Sequence, residues 1–164
     1  KAVAQALPQH LMFNASFVSG GIEFRGDINV GMAIALEEGL IAPAIMGCSR
    51  KRLIEIAEET TTLADRARSG VLSAEEYTSA TFNVTNLGMY GVEEFSAIIT
   101  PPQSAALAVG SVREVPVVKG VDVAVGHRMK VTLSIDHRVA DGSQAAIFLS
   151  DIRQTLENPI RLLM

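Results

Sequence analysis

The chain has a single cysteine, Cys48, among its 164 residues. One thiol excludes an intrachain disulfide and any multi-cysteine metal cluster, and it fits a reducing compartment best. Positive charge is not in excess: 14 Lys and Arg stand against 18 Asp and Glu, for a formal charge of −4. With no cluster of basic residues, nucleic acid is not an expected partner, and a polyanionic ligand must be met by locally placed Lys or Arg. No apolar run reaches the length of a membrane span, because charges interrupt every long one. No internal repeat, low-complexity linker or second domain is evident. The opening segment KAVAQALPQHL has no signal-peptide pattern and reads as a helix with no cap before it. The domain is therefore expected to begin earlier, and the chain to be a fragment.

What is present suits one globular domain with a real core: 48% of residues are apolar and 20% charged. The first third reads as strands over Phe13–Ser19, Gly21–Arg25 and Ile28–Ala35, cut by Gly and Asp turns. LIAPAIM follows as another strand, whose Pro43 points to an edge or a bulge. Ser49 is the expected N-cap of a helix through Ser69, with Leu53, Ile56, Ala57, Leu63, Ala64 and Ala67 on its apolar face and Gly70 as its stop. Ser73 and Glu76 form a capping box for a short helix ending near Ala80. Strands return at Thr81–Asn86 and Ala97–Thr100. Ala105–Val117 and Val121–Ile135 then read as one long hairpin turning at Lys119-Gly120. A last helix is expected from Gly142 to Glu157, burying Ala145, Phe148, Leu149, Ile152 and Leu156 and ending at Asn158-Pro159. The pattern predicts an α+β fold, a mixed sheet with helices packed on one side.

The stretch richest in chemistry is SIDHRVADG, Ser134 to Gly142, where a strand hands over to the last helix. Histidine suits proton transfer near neutral pH. Arg138 lies three residues before Asp141, so the two are expected to pair and brace the turn. Spacing alone leaves a plainer alternative open, with Asp141 an N-cap, Gly142 a turn residue and His137 a structural histidine. A metal site at Asp136, His137 and Asp141 lacks the spread of ligands such sites use. A hydrolase built on Ser134 lacks the GxSxG elbow.

SIDHRVADG resembles the DHRxxDG signature near the end of the acyltransferase component of 2-oxo acid dehydrogenase complexes, whose fold is shared with chloramphenicol acetyltransferase. INVGMAIALEEGLIAPAI, the SRKRLIEIAEE helix, FNVTNLGMYG, ITPPQSAALAVG and LENPIRLLM resemble successive segments of that family, in order, so the resemblance covers residues 1–164. It implies transfer of an acyl group between dihydrolipoamide and coenzyme A, with the lipoyl group carried on a separate domain and no metal. His137 then matches the base that takes the thiol proton. Thr85 matches a serine or threonine whose hydroxyl stabilises the oxyanion. Asp141 and Arg138 match a supporting pair, Asn86 and Gly88 shape the Thr85 turn, and Ser134 supports the strand that leads in. The family's site forms between subunits of a homotrimer. Its C-terminal tail, here Ile160, Leu162, Leu163 and Met164, docks into a facing trimer to build a large symmetric core.

The resemblance further implies that the decarboxylase and dihydrolipoamide dehydrogenase components are engaged through domains this chain does not contain, and that the opening portion of the catalytic domain is missing. A prokaryotic cytoplasm is expected rather than a mitochondrial matrix. Acetyl and branched-chain acyl groups both stay open. Among other residues, Cys48 is expected to be a buried thiol, His127 a surface residue, and Arg50 to Arg52 either a solvated face or contacts for coenzyme A phosphates. The rival reading is a scaffold that assembles and is catalytically incomplete. A free-standing antibiotic acetyltransferase is disfavoured by NLGMYG and LENPIRLLM.

Overall fold

The computed structural model describes residues 1–163. Its centre is a five-stranded mixed sheet ordered β11-β8-β7-β3-β6, formed by Val131–Ile135, Ala105–Val109, Phe82–Asn86, Val30–Met32 and Ala44–Ile45. Strands β3, β7 and β8 run parallel, and the outer strands β11 and β6 are antiparallel to their neighbours. Parallel neighbours need crossovers. The one between β3 and β7 carries helix α2, Leu53–Arg68, and the short helix α3, Ala74–Thr78.

Alternation along the strands decides which face is buried against what. Val84 and Phe82 in β7, Leu107 and Ala105 in β8, and Leu133 and Ile135 in β11 face one way. They meet helix α1 (Ala2–Ala6), α2 through Ile56 and Leu63, and helix α4 (Gly142–Glu157) through Phe148 and Ile152. Phe148 is the hub, stacked on Phe13 at 4.7 Å between centroids and edge-on to Phe82 at 5.9 Å. Ala106 and Ala108 face the other way, against Phe95, Ala97 and Ile99. This is the mixed sheet with helices on one side that the sequence pattern implies.

Three two-stranded ribbons leave this core. β1 (Ala15–Val18) pairs with β2 (Gly21–Phe24), and β4 (Ile34–Leu36) with β5 (Gly39–Ile41). β9 (Arg113–Lys119) pairs with β10 (Asp122–Arg128). The last corrects the expected long hairpin. Gly110 and the Met129-Lys130 step break both arms, so β8 and β11 belong to the main sheet while β9 and β10 project from it. Val118, Val123 and Val125 share one face of that ribbon and are each more than two-thirds exposed.

Other expectations also shift. Leu11–Asn14 is a 3-10 turn, so the first strand starts at Ala15, and the third splits at Ala33 into β3 and β4. LIAPAIM is not one strand but splits at Ala42-Pro43 between β5, in a ribbon, and β6, an edge strand of the main sheet. Ala97–Thr100 forms no strand and joins no ladder. Helix α2 is capped by Arg52, not Ser49, because Cys48–Arg50 winds a separate 3-10 turn; Leu53 and Ala57 consequently face solvent. The Ser73–Glu76 capping box forms, with Glu76 N–H donating to Ser73 Oγ and Ser73 N–H to Glu76 Oε2. In α4 the buried stripe is Phe148, Ile152 and Thr155, with Leu156 turned outward. Cys48 is buried, which raises the pKa of its thiol. Of the tail, Ile160 and Leu163 are exposed and Leu162 packs on the core; Met164 lies outside the described residues.

Candidate active site

Strand β11 ends at Ile135, and the Asp136 N–H continues the ladder by one bond, to the Ser104 carbonyl at 2.7 Å. The chain then folds into a tight turn in which the Asp136 carbonyl accepts from the N–H groups of Val139 and Ala140. Val139 and Ala140 are buried beneath this turn, and His137 is exposed on it. Asp136 Oδ1 accepts the Arg138 N–H at 3.0 Å and Nε–H at 2.9 Å, and Oδ2 accepts from Nη2 at 2.7 Å. Those bonds from Arg138 hold the Asp136 carboxyl below its ordinary pKa.

The expected Arg138–Asp141 pair is therefore not formed. Asp141 Oδ1 is already taken by the Ser143 hydroxyl at 2.6 Å and the N–H groups of Ser143 and Gln144 at 2.8 and 2.9 Å. Gln144 Oε1 accepts from the Asp141 N–H in return, completing a capping box at the positive end of α4. The Ser143 hydroxyl is the main cause of a lowered Asp141 pKa, followed by the Gln144 N–H; a small part comes from His137. Asp136 is thus the carboxylate that sequence reasoning missed as Arg138's partner. The signal was an Asp two residues before the Arg, the spacing of a side chain that binds its own turn.

Thr85 sits near the end of β7, half-buried on the face away from the helices. Its hydroxyl makes no hydrogen bond among the described residues. Just beyond, Asn86 Oδ1 accepts the Gly88 N–H at 2.8 Å and folds the corner. Close approach shapes the rest. A Cβ on Gly88 would lie 2.9 Å from the Gly110 carbonyl oxygen, and one on Gly110 only 2.0 Å from that of Glu93. Around this corner Glu93 pairs with Arg113 and with Lys130 at 3.0 Å, and Lys130 also with Glu94 at 2.9 Å. Ser134, by contrast, gives its hydroxyl to the Ala97 carbonyl at 2.6 Å and ties β11 to the segment behind it.

Within one chain the two corners do not meet. Thr85 lies opposite Ala108, and Ala108 opposite Thr132, so Thr85 is level with Thr132 in the sheet. His137 follows Thr132 by five positions, about 16 Å at the rise of a strand, and two strand spacings add roughly 10 Å sideways. His137 and Thr85 occupy opposite ends of one sheet.

The remaining candidates are engaged elsewhere. Arg52 pairs with Glu55, Lys51 with Glu59, and Arg50 lies 3.9 Å from Asp27. His10 bonds Asp151 at 2.6 Å, and His127 is exposed 3.5 Å from Glu114.

In fold class the molecule is chloramphenicol acetyltransferase-like: it superposes on that enzyme with a TM-score of 0.54 over 99% of this chain and 74% of that one, at 13% identity. A much nearer relationship is found elsewhere. The family described as 2-oxoacid dehydrogenases acyltransferase (catalytic domain) matches residues 1–164, and the chain belongs to it. The dihydrolipoyllysine-residue acetyltransferase component of the Rickettsia felis pyruvate dehydrogenase complex is 37% identical over 163 residues, 99% of this chain and 40% of that protein. The crystal structure of a probable dihydrolipoamide acetyltransferase from Listeria monocytogenes, 37% identical, gives a TM-score of 0.91 over 96% of this chain and 68% of that one. That of Azotobacter vinelandii dihydrolipoamide acetyltransferase, 30% identical, gives 0.95 over 100% and 68%. The chain thus spans about two fifths of the length of curated relatives such as the Rickettsia protein.

Proposed function

We propose that this chain is the catalytic part of a dihydrolipoamide acyltransferase, passing an acyl group between a dihydrolipoyl thiol and coenzyme A at a site shared by two copies of the chain. The supporting observation is the placement of His137 and Thr85: each stands on an outward corner with an uncommitted polar group, and the register puts them at opposite ends of one sheet. An assembly that sets one copy's histidine end against its neighbour's threonine end joins them. The apolar β9–β10 ribbon, unsupported by its own core, gives such an assembly surface to bury. The Azotobacter structure probes a serine, a histidine and an asparagine in that enzyme's mechanism, and their spacing along the chain equals that of Thr85, His137 and Asp141 here.

The chemistry follows from the residue types. A thiol of pKa about 8.5 is only a few per cent thiolate at neutral pH. His137 takes the S–H proton, the thiolate attacks the thioester carbonyl, and the tetrahedral oxyanion accepts a hydrogen bond from Thr85. Collapse expels the other thiolate, which recovers the proton from the imidazolium. No enzyme nucleophile is required, so the buried Cys48 has no part in it. Asp136 and Arg138 fix the turn on either side of His137, and Asp141 starts the helix behind it. Assembled trimers, joined through the exposed Ile160 and Leu163, would present these sites to lipoyl domains; a prokaryotic cytoplasm fits this role.

The scaffold reading keeps one observation in its favour. β11 is an outer strand with one side unpaired, and a groove of about 910 Å³ runs beside it, lined by Met129, Val131, Leu149 and Leu156 among others. Acyl transfer from acyl-CoA to free dihydrolipoamide, measured with the mass of the assembly, decides between them. Turnover that depends on His137 supports catalysis; a large assembly with no transfer supports the scaffold.

A further inference from the structure

We infer that Phe17 is a positioning residue for His137, acting through the guanidinium of Arg138; this rests on the proposed role of His137. Residues 136 and 138 flank the histidine and are clamped to each other by three side-chain contacts and one backbone bond. The backbone of the turn is tied to the molecule by the Asp136 N–H bond to Ser104 and by the buried Val139 and Ala140, but the Arg138 guanidinium that grips Asp136 is on a side chain 65% exposed. Beyond the turn that guanidinium meets Phe17, whose ring centroid lies 4.3 Å from the guanidinium carbon. A planar cation over an aromatic face is attracted by the ring's quadrupole, which an aliphatic side chain of similar bulk does not supply.

Phe17 can serve as an anchor because its own ribbon is fixed at the root. Asn14, buried, donates its side-chain amide to the carbonyls of Arg25 and Asp27 at 3.0 and 2.9 Å. The Arg25 N–H bonds the Asn14 carbonyl at 2.9 Å, and its guanidinium bonds the buried Ser16 hydroxyl on the opposite face of the strand from Phe17. A chain of contacts therefore runs from Asn14 through the β1–β2 ribbon and Phe17 to Arg138 and Asp136, with His137 held between the last two. General-base catalysis punishes small misplacements of the base, so a hold outside the turn should register in turnover.

The test is steady-state acyl transfer between acetyl-CoA and dihydrolipoamide by the assembled protein, for Phe17→Leu, Phe17→Tyr, Arg138→Gln and the Phe17→Leu/Arg138→Gln double variant. Hydrogen exchange of the peptide covering residues 136–141 is followed alongside. Phe17→Leu should lower kcat about two- to fivefold with both KM values unchanged. Phe17→Tyr should restore wild-type kcat, and the double variant should be no slower than Arg138→Gln. Exchange across 136–141 should rise in Phe17→Leu while thermal stability holds. Wild-type kcat in Phe17→Leu, or additive losses in the double variant, would overturn the inference. An inactive wild type would instead sink the proposed function, and the exchange data would then decide the clamp on their own: unchanged protection in Phe17→Leu removes it.

Discussion

The two corners that carry the proposed chemistry are built by different means. The His137 corner is held by side-chain charge: Asp136 grips Arg138, and Asp141 caps α4. The Thr85 corner, though folded by Asn86 and ringed by the Glu93 ion pairs, owes its shape to close packing, with Gly88 and Gly110 letting three backbone segments approach within contact distance. A base must present a ring to a mobile thiol, so its support consists of bonds that fix direction. A hydroxyl donor must sit at one point, so its support is close packing. The difference predicts that the first corner answers to charge changes and the second to volume changes.

The largest effect expected is at the base. His137→Ala should lower kcat by roughly 10²–10⁴-fold with the fold intact by circular dichroism; near-normal turnover would remove His137 from the reaction. Thr85→Val keeps the shape and deletes the donor, so kcat should fall by about 10²–10³-fold with thiol KM values little changed. A loss confined to KM would make Thr85 a binding residue. The pair also tests whether the site is shared. Co-assembling equal amounts of the His137→Ala and Thr85→Val chains leaves about a quarter of the interfaces with both groups intact, so about a quarter of wild-type turnover should return. If each chain carried its own complete site, the mixture would stay dead.

Stability should follow the same division. Gly110→Ala drives a methyl into the Glu93 carbonyl at 2.0 Å, and backbone cannot step aside as a flexible side chain can. We expect a cost of about 1–3 kcal/mol, read as a lower denaturant midpoint, and a loss of kcat from the displaced Thr85 corner. At the other corner the response is to acid. Asp136 and Asp141 have pKa values lowered in the folded state, by Arg138 and by the Ser143 hydroxyl respectively. A depressed carboxylate pKa contributes stability above the unfolded value, and that contribution is lost as pH falls through the folded value. Protection of residues 136–141 against hydrogen exchange, corrected for intrinsic rates, should therefore decline on acidification below the ordinary carboxylate range. In Asp136→Asn that decline should be blunted.

How much of this was legible in the sequence depends on the range of the interaction. The capping box at Ser73 and the core positions Phe148 and Ile152 are set within one or two turns, and spacing exposes them; Asp141 was legible as an N-cap only in the plainer alternative, and its box with Gln144 was missed. The sheet order was not legible, because β3, β7 and β8 pair in parallel across crossovers that leave no local mark. The long hairpin failed for a related reason. β8–β11 and β9–β10 are both antiparallel pairs nested in one stretch of chain, separated by short breaks at Gly110 and at the Met129-Lys130 step. Motif resemblance singled out His137 and Thr85, yet their separation appears only once the register is counted through Ala108.

The misassigned partner of Arg138 offers the smallest effect and the sharpest distinction. Were Asp141 that partner, Asp141→Asn would unpair an arginine and loosen the turn. The structure instead makes Asp141 an N-cap whose Oδ1 accepts from Ser143 and Gln144. Asparagine caps a helix about as well as aspartate, and keeps that oxygen while giving up the charge. Asp141→Asn should therefore leave stability almost unchanged, losing only the interaction with the helix dipole. Asp141→Ala deletes the acceptor and should lower the denaturant midpoint more than Asp141→Asn does. Asp136→Asn, which weakens the bidentate hold on Arg138, should reduce kcat more than Asp141→Asn does. If the two asparagine variants exchange places in that ranking, the charge that orients the histidine corner sits on the helix and not on the turn.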